Sequence, residues 1–131
     1  MSASHPLRPI RWKRVFDLIV AAGLTKAPNV SIIPPRPATD DEIKLGHSTD
    51  YLSAVKAMSS GLNSPTSPSH GFGPGDNPIY GGMYEANALT SGGTMVAAQA
   101  IADGSTDVAF NFAGGHQHHA MSDRASGFGV F

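Results

Sequence analysis

The stretch from Asp107 to the last residue, DVAFNFAGGHQHHAMSDRASGFGVF, constrains the fold most. Residues 107–112 form a short apolar run that reads as a buried β-strand, and Gly114-Gly115 then breaks the chain into a loop carrying His116, His118 and His119. In open α/β sheets, ligands sit outside the carboxyl ends of strands, where loops present side chains to a crevice. A strand, a glycine pair and adjacent imidazoles therefore point to an α/β protein with a proton-transfer site on that loop.

The preceding segment supplies helices for such a sheet. Residues 8–24 carry Trp12, Val15, Phe16 and Ile19 at helical spacing, with Pro9 suited to the first turn and Gly23 to the exit. This apolar stripe is expected to pack on a sheet or another helix. Residues 29–33 (NVSII) read as a short edge strand ended by Pro34-Pro35. Thr39 and Glu42 match a capping box at the start of a short helix, and Ser48 caps another with Tyr51, Leu52, Val55 and Met58 on one face.

Residues 59–78 are rich in glycine, proline and serine and read as one long loop rather than a domain boundary. Residues 80–103 predict a long, alanine-rich core helix with Gly92-Gly93 inside it and Gly104 past its end. An interior glycine costs about 1 kcal/mol relative to alanine. Either another part of the chain approaches that backbone closely, or the helix breaks there.

With 131 residues, the chain is expected to form one domain over 1–131. A net charge of −1 gives no reason to expect nucleic-acid or membrane-surface binding. Without cysteine, disulfide and thiolate chemistry drop out. No apolar run approaches the roughly 20 residues of a membrane span, and the amino terminus lacks the apolar core of a signal peptide. The expected location is cytoplasmic.

Four segments occur in order: HPLRPIRWKRVFDLIVAAGL, HSTDYLSAV, GPGDNPIYGGMYEANALTSGGTMVAAQAI and NFAGGHQHHAMSDRASGFGVF. Together they resemble the histone deacetylase superfamily, with its acetoin-utilisation and acetylpolyamine-amidohydrolase-like branch looking closest. The resemblance implies an arginase/deacetylase-like α/β fold, here truncated and mostly helical with a few strands. It also implies zinc-dependent hydrolysis of acetyl-lysine or similar amides. It places the proton-handling pair on His118 and His119, a substrate clamp on Asp76, and a tunnel wall on Phe128. Gly115 joins these as a substrate-binding position, and Arg11 and Gly114 line an internal channel.

The chain departs from that pattern. The family's zinc ligands and transition-state tyrosine lie downstream of the GG-x-HHA loop, and its first strand precedes the HP-x-x-P-x-R motif. Here GGHQHHA is one residue longer than GG-x-HHA. The expectation is therefore no metal site and no cofactor in this chain. The protein would be inactive alone and would self-associate as a homo-oligomer through an exposed strand edge. One alternative is a split or oligomeric zinc-dependent deacetylase using His116, His118 and His119. Another is a small-molecule binding module near Gly114 and Asp76. His5, His47 and His70 read as surface or capping residues.

Overall fold

The structure is a computed structural model that describes residues 8–62, 67–114 and 119–131. Its internal contacts fall into two groups, Met1–Pro34 and Pro35–Phe131. In the first, helix α1 spans Ile10–Ala21 and continues through Gly23, in the left-handed region at φ 74°, into a short 3-10 turn at Leu24–Lys26. Pro9 stands at the N-cap and Gly23 takes the left-handed exit, as their residue types favour. No residue of α1 is buried, and Leu18 is 70% exposed.

Among the described residues of the second group, three helices follow: α2 (Asp40–Ile43), α3 (Thr49–Ser59) and α4 (Met83–Ala102). The capping box of α2 is complete. Glu42 N–H donates to Thr39 Oγ1 at 3.2 Å, and Thr39 N–H donates to Glu42 Oε2 at 2.7 Å. Arg36 closes a two-pronged grip on the same carboxylate at 2.7 and 2.5 Å. The Arg36 hydrogen bond, then the Thr39 amide, pulls the Glu42 pKa from its ordinary 4.5 to about 2. A carboxylate with a lowered folded pKa stabilises the fold above its unfolded pKa, and that contribution fades as pH falls from about 4.5 to about 2. Glu42→Gln should flatten that part of a stability-against-pH curve, read by denaturant titration. An unchanged slope would show that the grip is not coupled to folding.

Ser48 caps α3 by accepting the Tyr51 N–H at 3.2 Å. The predicted face of Tyr51, Leu52, Val55 and Met58 is buried, and it forms the core with Ile43, Phe72, Met83, Val130 and Phe131. Ser59, at the end of α3, joins that helix to α4. Its hydroxyl accepts the Tyr84 N–H at 3.0 Å and donates to Glu85 at 2.7 Å. Asp40 of α2 accepts from Tyr84 Oη at 2.6 Å and also pairs with Lys56 of α3, so one carboxylate ties three helices.

Helix α4 runs unbroken through Gly92-Gly93, and Gly104 takes the left-handed conformation just beyond its end at φ 76°. The reason for Gly92 is a close approach. Residues 36–38 cross α4 at that point, with Ala38 N–H donating to Ala88 O at 2.8 Å. A Cβ on Gly92 would overlap the Arg36 carbonyl oxygen and lie 2.5 Å from Ala38 N.

The two expected strands are a correction. Among the described residues neither 107–112 nor 29–33 pairs in a ladder, and the β contacts present are isolated bridges at Met121–Arg124 and Ser126–Gly129. A strand exists only with a neighbour in register, and apolar composition cannot supply one. Residues 107–112 are not buried either. Val108 is 80% exposed and Phe110 77%. No helix among the described residues is long and apolar enough to cross a membrane.

Candidate functional site

The chain after His119 makes two tight reversals. Met121 N–H donates to Arg124 O at 2.8 Å, closing the first. The second runs over Ser126–Gly129, with reciprocal bonds of 3.1 and 2.8 Å between its ends. Its central residues, Gly127 and Phe128, have φ of 51° and 69°. Positive φ at both central positions marks a mirror-image hairpin turn. Glycine adopts this freely, whereas a bulky residue pays roughly 1–2 kcal/mol. Among the described residues, Phe128 is the non-glycine residue held there. Backbone strain of this kind persists where surrounding contacts over-determine it.

Those contacts come from residues 67–78. Phe128 N–H donates to Asn77 Oδ1 at 3.0 Å, and Asn77 Nδ2 donates to Gly71 O at 3.1 Å. Ala125 N–H donates to His70 O at 2.9 Å, and His70 Nδ1 donates to Asp123 O at 2.8 Å, which sets its tautomer. Gly71, at φ 78°, lies so close under Ala125 that a Cβ would meet that residue's carbonyl oxygen. The long loop is therefore sewn to the tail.

The structure does not bring all the predicted site residues together. Asp76 is exposed and adjoins Asn77, so it sits one residue from the tie to Phe128. His119 is also exposed. Its ring rests on the Gly127 backbone, where a Cβ would lie 2.5 Å from His119 Cδ2. Asp76, His119 and Phe128 thus belong to one connected rim. Gly114 lies elsewhere, against α4, and a Cβ there would overlap Thr94 Oγ1. It lines an open recess of about 270 Å³ together with Glu42, His47, Thr94, Met95 and Phe131. Gly115, His116 and His118 lie outside the described residues. Arg11 sits in α1, in the Met1–Pro34 group.

Two asparagines do work that the sequence reading missed. Asn77 is one. Asn111 is the other: its Nδ2 donates to Thr90 O at 3.1 Å and Thr94 Oγ1 at 3.0 Å, while its Oδ1 accepts from Ala113 N–H at 3.2 Å. It anchors the start of the histidine loop to α4, and Gly93 leaves it room, with a Cβ position 3.0 Å from Nδ2. The available signal was a lone polar residue inside an apolar run. The reading of His47 also needs correction. Its ring stacks on Tyr51 at 5.3 Å and meets Phe131 at 5.6 Å, and Nδ1 is buried without a hydrogen-bond partner among the described residues. Burial lowers its pKa, and the backbone of Met121 and Ser122 opposes that shift.

Among the described residues no three His, Cys, Asp or Glu side chains converge in a way that could hold a metal ion. A catalytic zinc site needs about three protein ligands and an open position. The described residues therefore do not by themselves fit the metal that the resemblance implies.

The sequence model of the histone deacetylase domain matches residues 5–131. The chain belongs to the histone deacetylase family. It is 36% identical to the acetoin utilization protein AcuC of Bacillus subtilis over 128 residues, covering 97% of this chain and 32% of that protein. It is 35% identical to the histone deacetylase RPD3 of Saccharomyces cerevisiae, covering 96% and 29%. In three dimensions it is similar to an HDAC homolog from Aquifex aeolicus, with a TM-score of 0.81 and 28% identity over 100% of this chain and 34% of that one. A structure of an HDAC homolog complexed with SAHA gives the same TM-score at 30% identity, covering 99% and 34%. The chain thus spans about a third of the length of these relatives, and the fold is deacetylase-like.

Proposed function

We propose that these residues form the substrate-rim and histidine-loop side of a deacetylase-type amide hydrolase acting on acetyl-lysine or similar amides. The observation that supports this best is the single rim in which His119 rests on Gly127, Phe128 is held in a left-handed turn, and Asn77 ties that turn to Asp76's loop. In this reading Asp76 accepts hydrogen bonds from the substrate backbone, and Phe128 lines the acyl-lysine chain. His118 and His119 hold or move protons at the scissile amide. No step is assigned to zinc, because the described residues do not assemble its ligands. The reading therefore has the 131 residues alone turning over no acetyl amide, which an acetyl-lysine hydrolysis assay tests.

Self-association is a second reading, supported by the exposure of Val108 and Phe110 on a segment with no ladder partner among the described residues. It expects a dimer or larger species at micromolar concentration. A clean monomer by light scattering would remove it.

A further inference from the structure

We propose that Asn77 is a positioning residue that makes the Asp76 clamp and the Phe128 wall one mechanical unit. The inference rests on the functional reading above for its consequence, and on geometry alone for the tie itself. In a two-residue hairpin turn the end residues bond to each other, here Ser126 with Gly129, and the Phe128 N–H takes no part in that closure. A backbone donor withdrawn from water needs an acceptor. Asn77 Oδ1 supplies it at 3.0 Å.

The carboxamide is used at both ends. Its Nδ2 donates to Gly71 O at 3.1 Å, while the Asn77 backbone carbonyl accepts Gly73 N–H at 3.1 Å. Asn77 is thereby fixed within its own loop before it reaches across 51 residues of sequence to Phe128. Gly71 is in turn pressed under the Ala125 carbonyl, so the loop cannot slide along the tail. Asparagine brings one acceptor and one donor on a short stem, and each is used here. Asp76 is the immediate chain neighbour, so any displacement of Asn77 carries the clamp with it.

The test uses the whole 131-residue chain, isotopically labelled, and three proteins: wild type, Asn77→Ala and Asn77→Asp. Amide hydrogen exchange at Phe128 is measured first. Asn77→Ala removes the acceptor and should speed exchange there about tenfold, the order expected for one lost hydrogen bond. Asn77→Asp keeps the acceptor oxygen but loses the donor to Gly71, so its Phe128 exchange should fall between wild type and Asn77→Ala. The second measurement titrates each protein with a short acetyl-lysine peptide. Wild type should show the Asp76 and Phe128 amides moving with one dissociation constant. Asn77→Ala should weaken that constant about tenfold, and Asn77→Asp should weaken it less.

Unchanged Phe128 exchange in Asn77→Ala overturns the proposal. So does faster exchange with unaltered peptide affinity, because a merely structural bond would behave that way. Should Asn77→Ala fail to fold, Asn77→Asp decides alone, and a tenfold rise in its Phe128 exchange would contradict the assigned acceptor role. A wild-type chain that does not bind the peptide would instead overturn the functional reading, and the exchange result would then judge the tie by itself.

Discussion

Gly92→Ala should destabilise the protein by about 2–3 kcal/mol, although helix propensity alone argues for the opposite sign. In an isolated helix, alanine in place of an interior glycine gains about 1 kcal/mol. Here the added Cβ would overlap the Arg36 carbonyl and lie 2.5 Å from Ala38 N and 2.7 Å from the Pro37 carbonyl carbon. These are backbone atoms and cannot rotate away. Overpacking of this kind typically costs about 1–3 kcal/mol, occasionally more. Displacing residues 36–38 also breaks the Ala38–Ala88 bond, about 1 kcal/mol further. The clash exceeds the propensity gain. Gly93→Ala is the control, since its Cβ meets the Asn111 side-chain amide at 3.0 Å and Pro35 Cβ at 3.4 Å, and side chains can yield. Urea denaturation should place Gly92→Ala well below wild type and Gly93→Ala much nearer to it. A Gly92→Ala midpoint above wild type would mean that residues 36–38 do not lie on α4.

Tyr51→Ala should be costlier still, at about 3–5 kcal/mol, in the range for removing a buried aromatic ring. Tyr51 is 0% exposed. Its ring stacks on Phe72 at 6.0 Å and on His47 at 5.3 Å, and meets His70 and Phe131 edge-on at 5.5 and 6.4 Å. Its hydroxyl donates to Val130 O at 2.5 Å, joining α3 to the end of the tail. Burial pushes the phenol pKa upward, which keeps the donor protonated. Tyr51→Phe isolates that hydroxyl. It should cost about 1–3 kcal/mol, because the buried Val130 carbonyl loses its side-chain donor. If Tyr51→Phe unfolds at the same urea concentration as wild type, the tail is not held by this bond.

The local devices were legible in the sequence. The Thr39–Glu42 capping box, the Ser48 cap and the Gly104 exit each depend on residues three or four apart, and all three formed as expected. The buried face of α3 followed from spacing alone. The Gly92-Gly93 pair left a choice between a break and a close approach, and only the crossing of residues 36–38 decides it. Long-range partnerships were not legible. The apolar run 107–112 looked like a strand, but a ladder needs a partner that composition does not name. Asn77 and Asn111 looked like loop and strand residues, and their partners lie 51 and 17–21 residues away. His47 looked like a surface residue because nothing in its neighbourhood announces Phe131. Family resemblance singled out Asp76 and Phe128 as candidates, but not the bond that couples their loops.

The central proposal is that these residues form the rim and histidine-loop side of an amide-hydrolase site, and that hydrolysis needs metal ligands which the described residues do not assemble. The direct measurement is hydrolysis of a fluorogenic acetyl-lysine substrate by the purified chain with added zinc, beside His118→Ala. The account predicts background rates for both proteins. Sustained turnover by the wild-type chain that disappears in His118→Ala would contradict it.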